Sequence, residues 1–109
     1  KPEEFEEVEY QAMHHQFVAS AKAVKLGHEI NPNFQIGCMI AYMTTYPFTC
    51  NPDDILLAQN EMKMHNHFCG DIHVRGEYPY YAKRYFEEND IEIKVEDGDL
   101  EILKEGTVD

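Results

Sequence analysis

The chain has 109 residues, 43% hydrophobic and 28% charged, which suits one globular domain and excludes a disordered tail. No apolar run approaches the ~18–20 residues that cross a bilayer, and the acidic opening has no signal-peptide layout, so neither a membrane partner nor secretion is expected. With 9 Lys+Arg against 21 Asp+Glu the formal charge is −12, a field that repels polyanions and argues against nucleic acid as a partner.

Residues 1–12 carry five Glu and one Lys and read as a solvated helical turn or a frayed end. From 10 to 28, Met13, Phe17, Ala21 and Val24 recur at three- and four-residue steps, which predicts a helix with one apolar face. Gly27 and Pro32 are expected to stop it. Residues 34–43, Phe-Gln-Ile-Gly-Cys-Met-Ile-Ala-Tyr-Met, are nearly continuously apolar without alternation, the pattern of a strand buried on both faces in a parallel sheet. Asn51 as a cap, Pro52 at the first helical position, and Asp53 and Asp54 in the first turn predict a second helix. Ile55, Ala58, Met62 and Cys69 fit its buried face until Gly70 interrupts it. A further helix is expected from Pro79 to about Asn89 with Tyr81, Ala82, Tyr85 and Phe86 inward, and a last short one over 99–104, ending at Gly106.

The predicted strand poses a physical problem, because a parallel strand needs neighbours on both edges and the chain contains no second strand of its kind. Residues 91–95, Ile-Glu-Ile-Lys-Val, alternate as a half-exposed strand would. Either the chain pairs with another copy of itself or it is a piece of a larger α/β protein. A sequence that opens on Lys1 and shows no terminating signal reads as such a piece, and no repeat, low-complexity tract or linker divides it. The cysteines Cys38, Cys50 and Cys69 are odd in number and widely spaced, which suits a reducing compartment, the cytoplasm.

Five ordered motifs then carry a resemblance. They are Met13-His14-His15-Gln16-Phe17-Val18-Ala19-Ser20-Ala21 through His28-Glu29-Ile30-Asn31-Pro32, Ile36-Gly37-Cys38-Met39, Tyr46-Pro47-Phe48-Thr49-Cys50-Asn51-Pro52-Asp53-Asp54, Val74-Arg75-Gly76-Glu77-Tyr78-Pro79, and Glu96-Asp97-Gly98-Asp99-Leu100. Together they resemble the middle of bacterial 6-phospho-β-glucosidases of glycoside hydrolase family 1, over nearly the whole chain. The resemblance implies an α/β fold, a partial (β/α)8 TIM barrel. Residues 1–109 would form one internal segment of a barrel domain, about a quarter of it: the fourth barrel helix over 10–28, the fifth strand over 36–42, the interrupted helical layer over 52–89, and Asp109 just before the sixth strand. A slice of this kind accounts for a lone apolar strand.

The resemblance also implies a retaining mechanism with two glutamates, an acid/base in an Asn-Glu-Pro motif and a nucleophile in a Glu-Asn-Gly motif. Neither motif occurs here. Asn60-Glu61 is followed by Met62 inside a predicted helix, so Glu61 is expected to face solvent. Barrel active sites are built from loops leaving the C-terminal ends of strands, and the segment leaving the fifth strand carries Thr45 and Tyr46. These are the candidate substrate-binding residues, Tyr46 by stacking and Thr45 by hydrogen bonding, against the alternative that each only packs or turns. Ala41 stands where many family members without a phospho-sugar preference have Asn.

Other groupings have structural readings. His65, His67, Cys69 and His73 hold metal-ligating types within nine residues, but their spacing matches no closed zinc motif, and on a helix His65 and His67 point to different sides. Of His14 and His15, one is expected buried and hydrogen-bonded and the other outward. Tyr78, Tyr80, Tyr81 and Tyr85 read as the apolar side of a helix, Asp97 and Asp99 as turn and capping groups, and Asp71 with Arg75 as an ion pair fixing a loop between Gly70 and Gly76. The leading expectation is a piece of a cytoplasmic enzyme cleaving phosphorylated β-glucosides, with no catalytic residue of its own, no metal, no cofactor, and homo-oligomerisation when isolated. The alternatives are a small metal-binding protein using 65–73 and an acidic oligomerising module.

Overall fold

The first helix, α1 (Pro2–Ile30), runs for 29 residues in a computed structural model that describes residues 2–109. It buries Phe17, Val18, Ala21 and Val24 along one stripe, as the periodicity requires. The acidic start is part of the helix rather than frayed, because its carboxylates have partners: Glu6 accepts the Tyr85 hydroxyl and Glu7 accepts the Glu92 N–H at 3.3 Å. Gly27 does not end the helix. A Cβ there would lie 2.4 Å from Ile36 Cδ1, so the glycine makes room for the returning chain, and termination falls to Pro32, which has no N–H to donate.

From Phe34 onward the chain is extended, yet the described residues contain no strand. The strand expected over 36–42 does not form, because a ladder needs a neighbouring main chain and, among the described residues, one reaches this run at Ile36 alone. Its ends are held instead. Asp109 N–H donates to Ile36 O at 3.0 Å and Ile36 N–H to Asp109 Oδ2 at 2.7 Å, while Asn66 exchanges two hydrogen bonds with the main chain of Met43. Residues 91–95 are also no strand. They lie along α1, where the Gln11 carboxamide accepts Lys94 N–H at 2.7 Å and donates to Lys94 O at 3.1 Å.

Asn51 caps α2 (Pro52–Met62) by accepting Asp53 N–H at 2.9 Å, with Pro52 in the first turn. The helix passes through a π-turn at Lys63–His67 into α3 (Phe68–Arg75). Gly70 does not interrupt it; the stop is Gly76, left-handed at φ 69°. Residues 70–75 are thus helical rather than looped, and the 3.4 Å Asp71–Arg75 pair spans one helical turn. Two short helices follow, α4 (Tyr80–Glu88) and α5 (Asp99–Glu105), the second entered through Gly98 at φ 92°.

Phe17, Val18 and Ala21 of α1 meet Phe68 and Ile72 of α3, Ala82 of α4 and Leu103 of α5. Phe68, 1% exposed, is the centre: Tyr10 and Phe17 meet its ring with centroids 5.6 Å away, and Tyr78 and Phe86 at 5.9 and 6.2 Å. Each large side chain buried there is worth roughly 1.5–3 kcal/mol. Outside this core the chain is open. Its radius of gyration, 15.8 Å, exceeds the roughly 13 Å of a compact chain this long, and Ile30, Met39, Met43 and Phe48 are 70%, 88%, 74% and 97% exposed.

The end of α5 meets α1 so closely that a Cβ on Gly106 would lie 2.0 Å from Ala21 O. Gly106→Ala is expected to lower stability by about 1–3 kcal/mol through overpacking. Gly37→Ala, with nothing within 4 Å of the added methyl, is expected to stay within about 0.5 kcal/mol. Urea unfolding of the two variants checks the contrast.

Candidate functional site

The segment leaving the extended run, 44–50, is exposed throughout and is pinned at both ends. Thr45 N–H donates to Met62 Sδ at 3.2 Å. The Thr49 hydroxyl donates to Asp54 Oδ2 at 2.5 Å and accepts Asn51 N–H at 3.1 Å, which locks the turn onto the start of α2.

Between this segment, the α2–α3 helix and α4 lies an open groove of about 1020 Å³. Thr45 and Pro47 form one wall, Met62, Lys63 and His67 the floor, and Tyr80, Tyr81 and Lys83 the far side. Three of the chain's nine Lys and Arg, namely Lys63, Arg75 and Lys83, line it. The Tyr81 hydroxyl donates to Asp71 Oδ2 at 2.5 Å. Burial first, and then that bond to a carboxylate, push its pKa well above the usual phenol value, so it stays a proton donor. Of the two candidate substrate residues, the structure brings Thr45 to the groove. Tyr46, 81% exposed, lines a smaller adjoining depression of about 180 Å³ with Phe48 and Leu57, which Thr45 and Pro47 also border.

Behind the groove sits His14, completely buried on α1. Its Nε2 lies 2.8 Å from Asp99 Oδ2 and its Nδ1 2.8 Å from the Tyr78 hydroxyl. A carboxylate only accepts, so Nε2 carries a hydrogen and donates it to Asp99, while Nδ1 shares a hydrogen bond with the Tyr78 hydroxyl. The His14 bond, followed by the Glu96 N–H that donates to Asp99 Oδ2 at 3.0 Å, draws the Asp99 carboxyl below its ordinary range. His15 points outward, as expected of adjacent helical residues.

The metal-type residues of 65–73 do not converge. His65 pairs with Glu61 at 2.8 Å on the outside, His67 meets the Tyr42 ring, and His73 packs edge-on against Phe17, where burial lowers its pKa. Burial likewise raises the Cys69 thiol. Among the described residues no group of three or more His, Cys, Asp or Glu is placed to hold a metal ion, and no helix is long and apolar enough to cross a membrane. Asn66 and Gln11, whose carboxamides serve main-chain groups, escaped the sequence reading. Helical periodicity marks Asn66 only as a polar residue beside Phe68, and nothing local reveals its distant partner.

The profile of Glycosyl hydrolase family 1 matches residues 2–109. The chain belongs to that family. An aryl-phospho-β-D-glucosidase of Bacillus subtilis strain 168 is 58% identical over 92% of this chain and 21% of its own length. A 6-phospho-β-glucosidase of Clostridium longisporum is 55% identical over 86% of this chain and 20% of its own, and one of Escherichia coli strain K12 is 48% identical over 95% and 22%. The chain thus spans about a fifth of the length of these curated relatives. Family membership implies a (β/α)8 barrel, and the helix-rich, strandless chain fits a part of one.

The depressed Asp99 carboxyl stabilises the fold at pH values above the unfolded carboxylate pKa of about 4, and that contribution is lost as pH falls through the lower folded value. The urea midpoint is therefore expected to fall on acidification below about pH 4. Asp99→Asn should lower it at neutral pH and flatten its dependence below that point.

Proposed function

We propose that the chain is a wall segment of a retaining glycosidase that hydrolyses 6-phospho-β-D-glucosides to glucose 6-phosphate and an aglycone. In this reading α1 is the fourth barrel helix, 36–42 the fifth strand, 52–89 the helical layer behind it, and Asp109 the approach to the sixth strand. The observation that carries it is the pairing of Ile36 with Asp109, 73 residues apart. The residue before the proposed sixth strand lies beside the start of the proposed fifth, joined to it by one main-chain hydrogen bond and one through its carboxylate, which supports their being neighbours. The names of the relatives supply the substrate class.

Both catalytic glutamates would lie outside residues 1–109, since neither of their motifs is in the sequence. A two-carboxylate mechanism requires no metal or cofactor. The 44–47 segment then forms part of the rim around the aglycone, with Thr45 and Tyr46 as its contacts. The phosphorylated substrate and the unpaired cysteines support a cytoplasmic location for the enzyme.

The test is direct. The coding sequence on either side should supply Asn-Glu-Pro upstream and Glu-Asn-Gly downstream, and the longer product should release p-nitrophenol from its 6-phospho-β-glucoside while the 109-residue chain releases none. Stop codons at both boundaries, or turnover by the 109-residue chain alone, would refute the reading.

A second expectation concerns assembly. The open main chain of 37–42 and apolar side chains such as Met39 need cover, and edge-to-edge pairing with a second copy provides it. Light scattering should report a homo-oligomer or aggregates for the isolated chain, and Ile40→Lys should disrupt that association. A monomer indifferent to the substitution would remove the strand from the account of this region.

A further inference from the structure

Asn66 is 2% exposed, in the π-turn of Lys63–His67, and its carboxamide serves the chain opposite. Oδ1 accepts Met43 N–H at 3.0 Å, and Nδ2 donates to Met43 O at 2.7 Å. This is the double exchange that two facing residues make in an antiparallel ladder, with a side chain standing in for one of the main chains. Nδ2 also lies 3.2 Å from Met62 Sδ, and that sulfur accepts Thr45 N–H at 3.2 Å. Four residues beyond Asn66, a Cβ on Gly70 would lie 3.8 Å from Ile40 Cδ1. Residues 62, 66 and 70 thus share the side of the helix that faces the extended run.

Asn66 itself lies in the π-turn, and such i→i+5 turns recur at functional sites.

We infer that Asn66 is a positioning residue for the rim: it fixes Met43 directly and Thr45 by way of Met62, the two points from which the 45–47 segment hangs over the groove. A neutral carboxamide offers a donor and an acceptor at this reach without a charge. Alanine leaves both Met43 groups without their partner, whereas aspartate keeps the acceptor and loses the donor. The clamp itself stands on the hydrogen bonds; its effect on catalysis rests on the glycosidase reading above.

The first test is amide hydrogen exchange on the 109-residue chain. Asn66→Ala should speed exchange at Met43 roughly three- to tenfold while Phe17 and Ala21, in the α1 core, keep their protection. Asn66→Asp should leave the Met43 amide protected, because its acceptor remains. Unchanged exchange at Met43 in the alanine variant, or equal loss in both variants, would overturn the inference. In the longer enzyme, Asn66→Ala should raise KM for an aryl 6-phospho-β-glucoside roughly fivefold, with kcat within about twofold and the methyl 6-phospho-β-glucoside unaffected. An equal loss for both substrates would overturn the positioning role. A longer protein that cleaves neither, alongside the expected exchange pattern, refutes the glycosidase reading and leaves the clamp supported.

Discussion

The apolar stripe of α1 is the surface on which everything else is assembled. Phe17, Val18 and Ala21 receive Phe68 and Ile72 from α3 and Leu103 from α5, and the backbone of Gly106 rests on that of Ala21. One polar residue belongs to the same helix face. His14 is as deeply buried as its apolar neighbours, which is possible only because Tyr78 and Asp99 satisfy both ring nitrogens. Those bonds run from α1 to the approach of α4 and the first turn of α5, so the same stripe that supplies the apolar burial also fixes the register of the distant helices.

Backbone hydrogen bonding is the second constraint. An extended chain without a neighbouring strand has main-chain donors and acceptors to satisfy. Here side chains do so at separated points: Gln11 at Lys94, Asn66 at Met43 and Asp109 at Ile36. The residues between these points stay open to solvent, with large apolar side chains on them. The helical layer is packed while this apolar run beside it is left uncovered, as fits a part of a larger barrel.

The candidate site follows from the same arrangement. The 45–47 segment is attached to the end of α2 through Met62, and the groove beside it mixes Lys63, Arg75 and Lys83 with Asp71 and Glu77. Thr45 reaches that groove because its own N–H is bound to Met62. Tyr46, the next residue, lines the smaller depression alongside, which it shares with Thr45.

Local chemistry made much of this legible in the sequence. The helix over 10–28, the Asn51-Pro52-Asp53-Asp54 start of α2, the helix after Pro79, and the burial of one of two adjacent histidines all depend on neighbours within a turn. Positions where two distant segments meet were decided only by the tertiary structure. Gly27 reads as a helix stop but serves as space for Ile36, and Gly70 reads as a break but lies within α3 facing Ile40. Asn66 reads as an ordinary polar helix residue until Met43 is brought against it. A run of apolar residues determines that a segment seeks burial and an extended shape; whether it becomes a strand depends on a second main chain at hydrogen-bonding distance, and no property of the run itself can supply that.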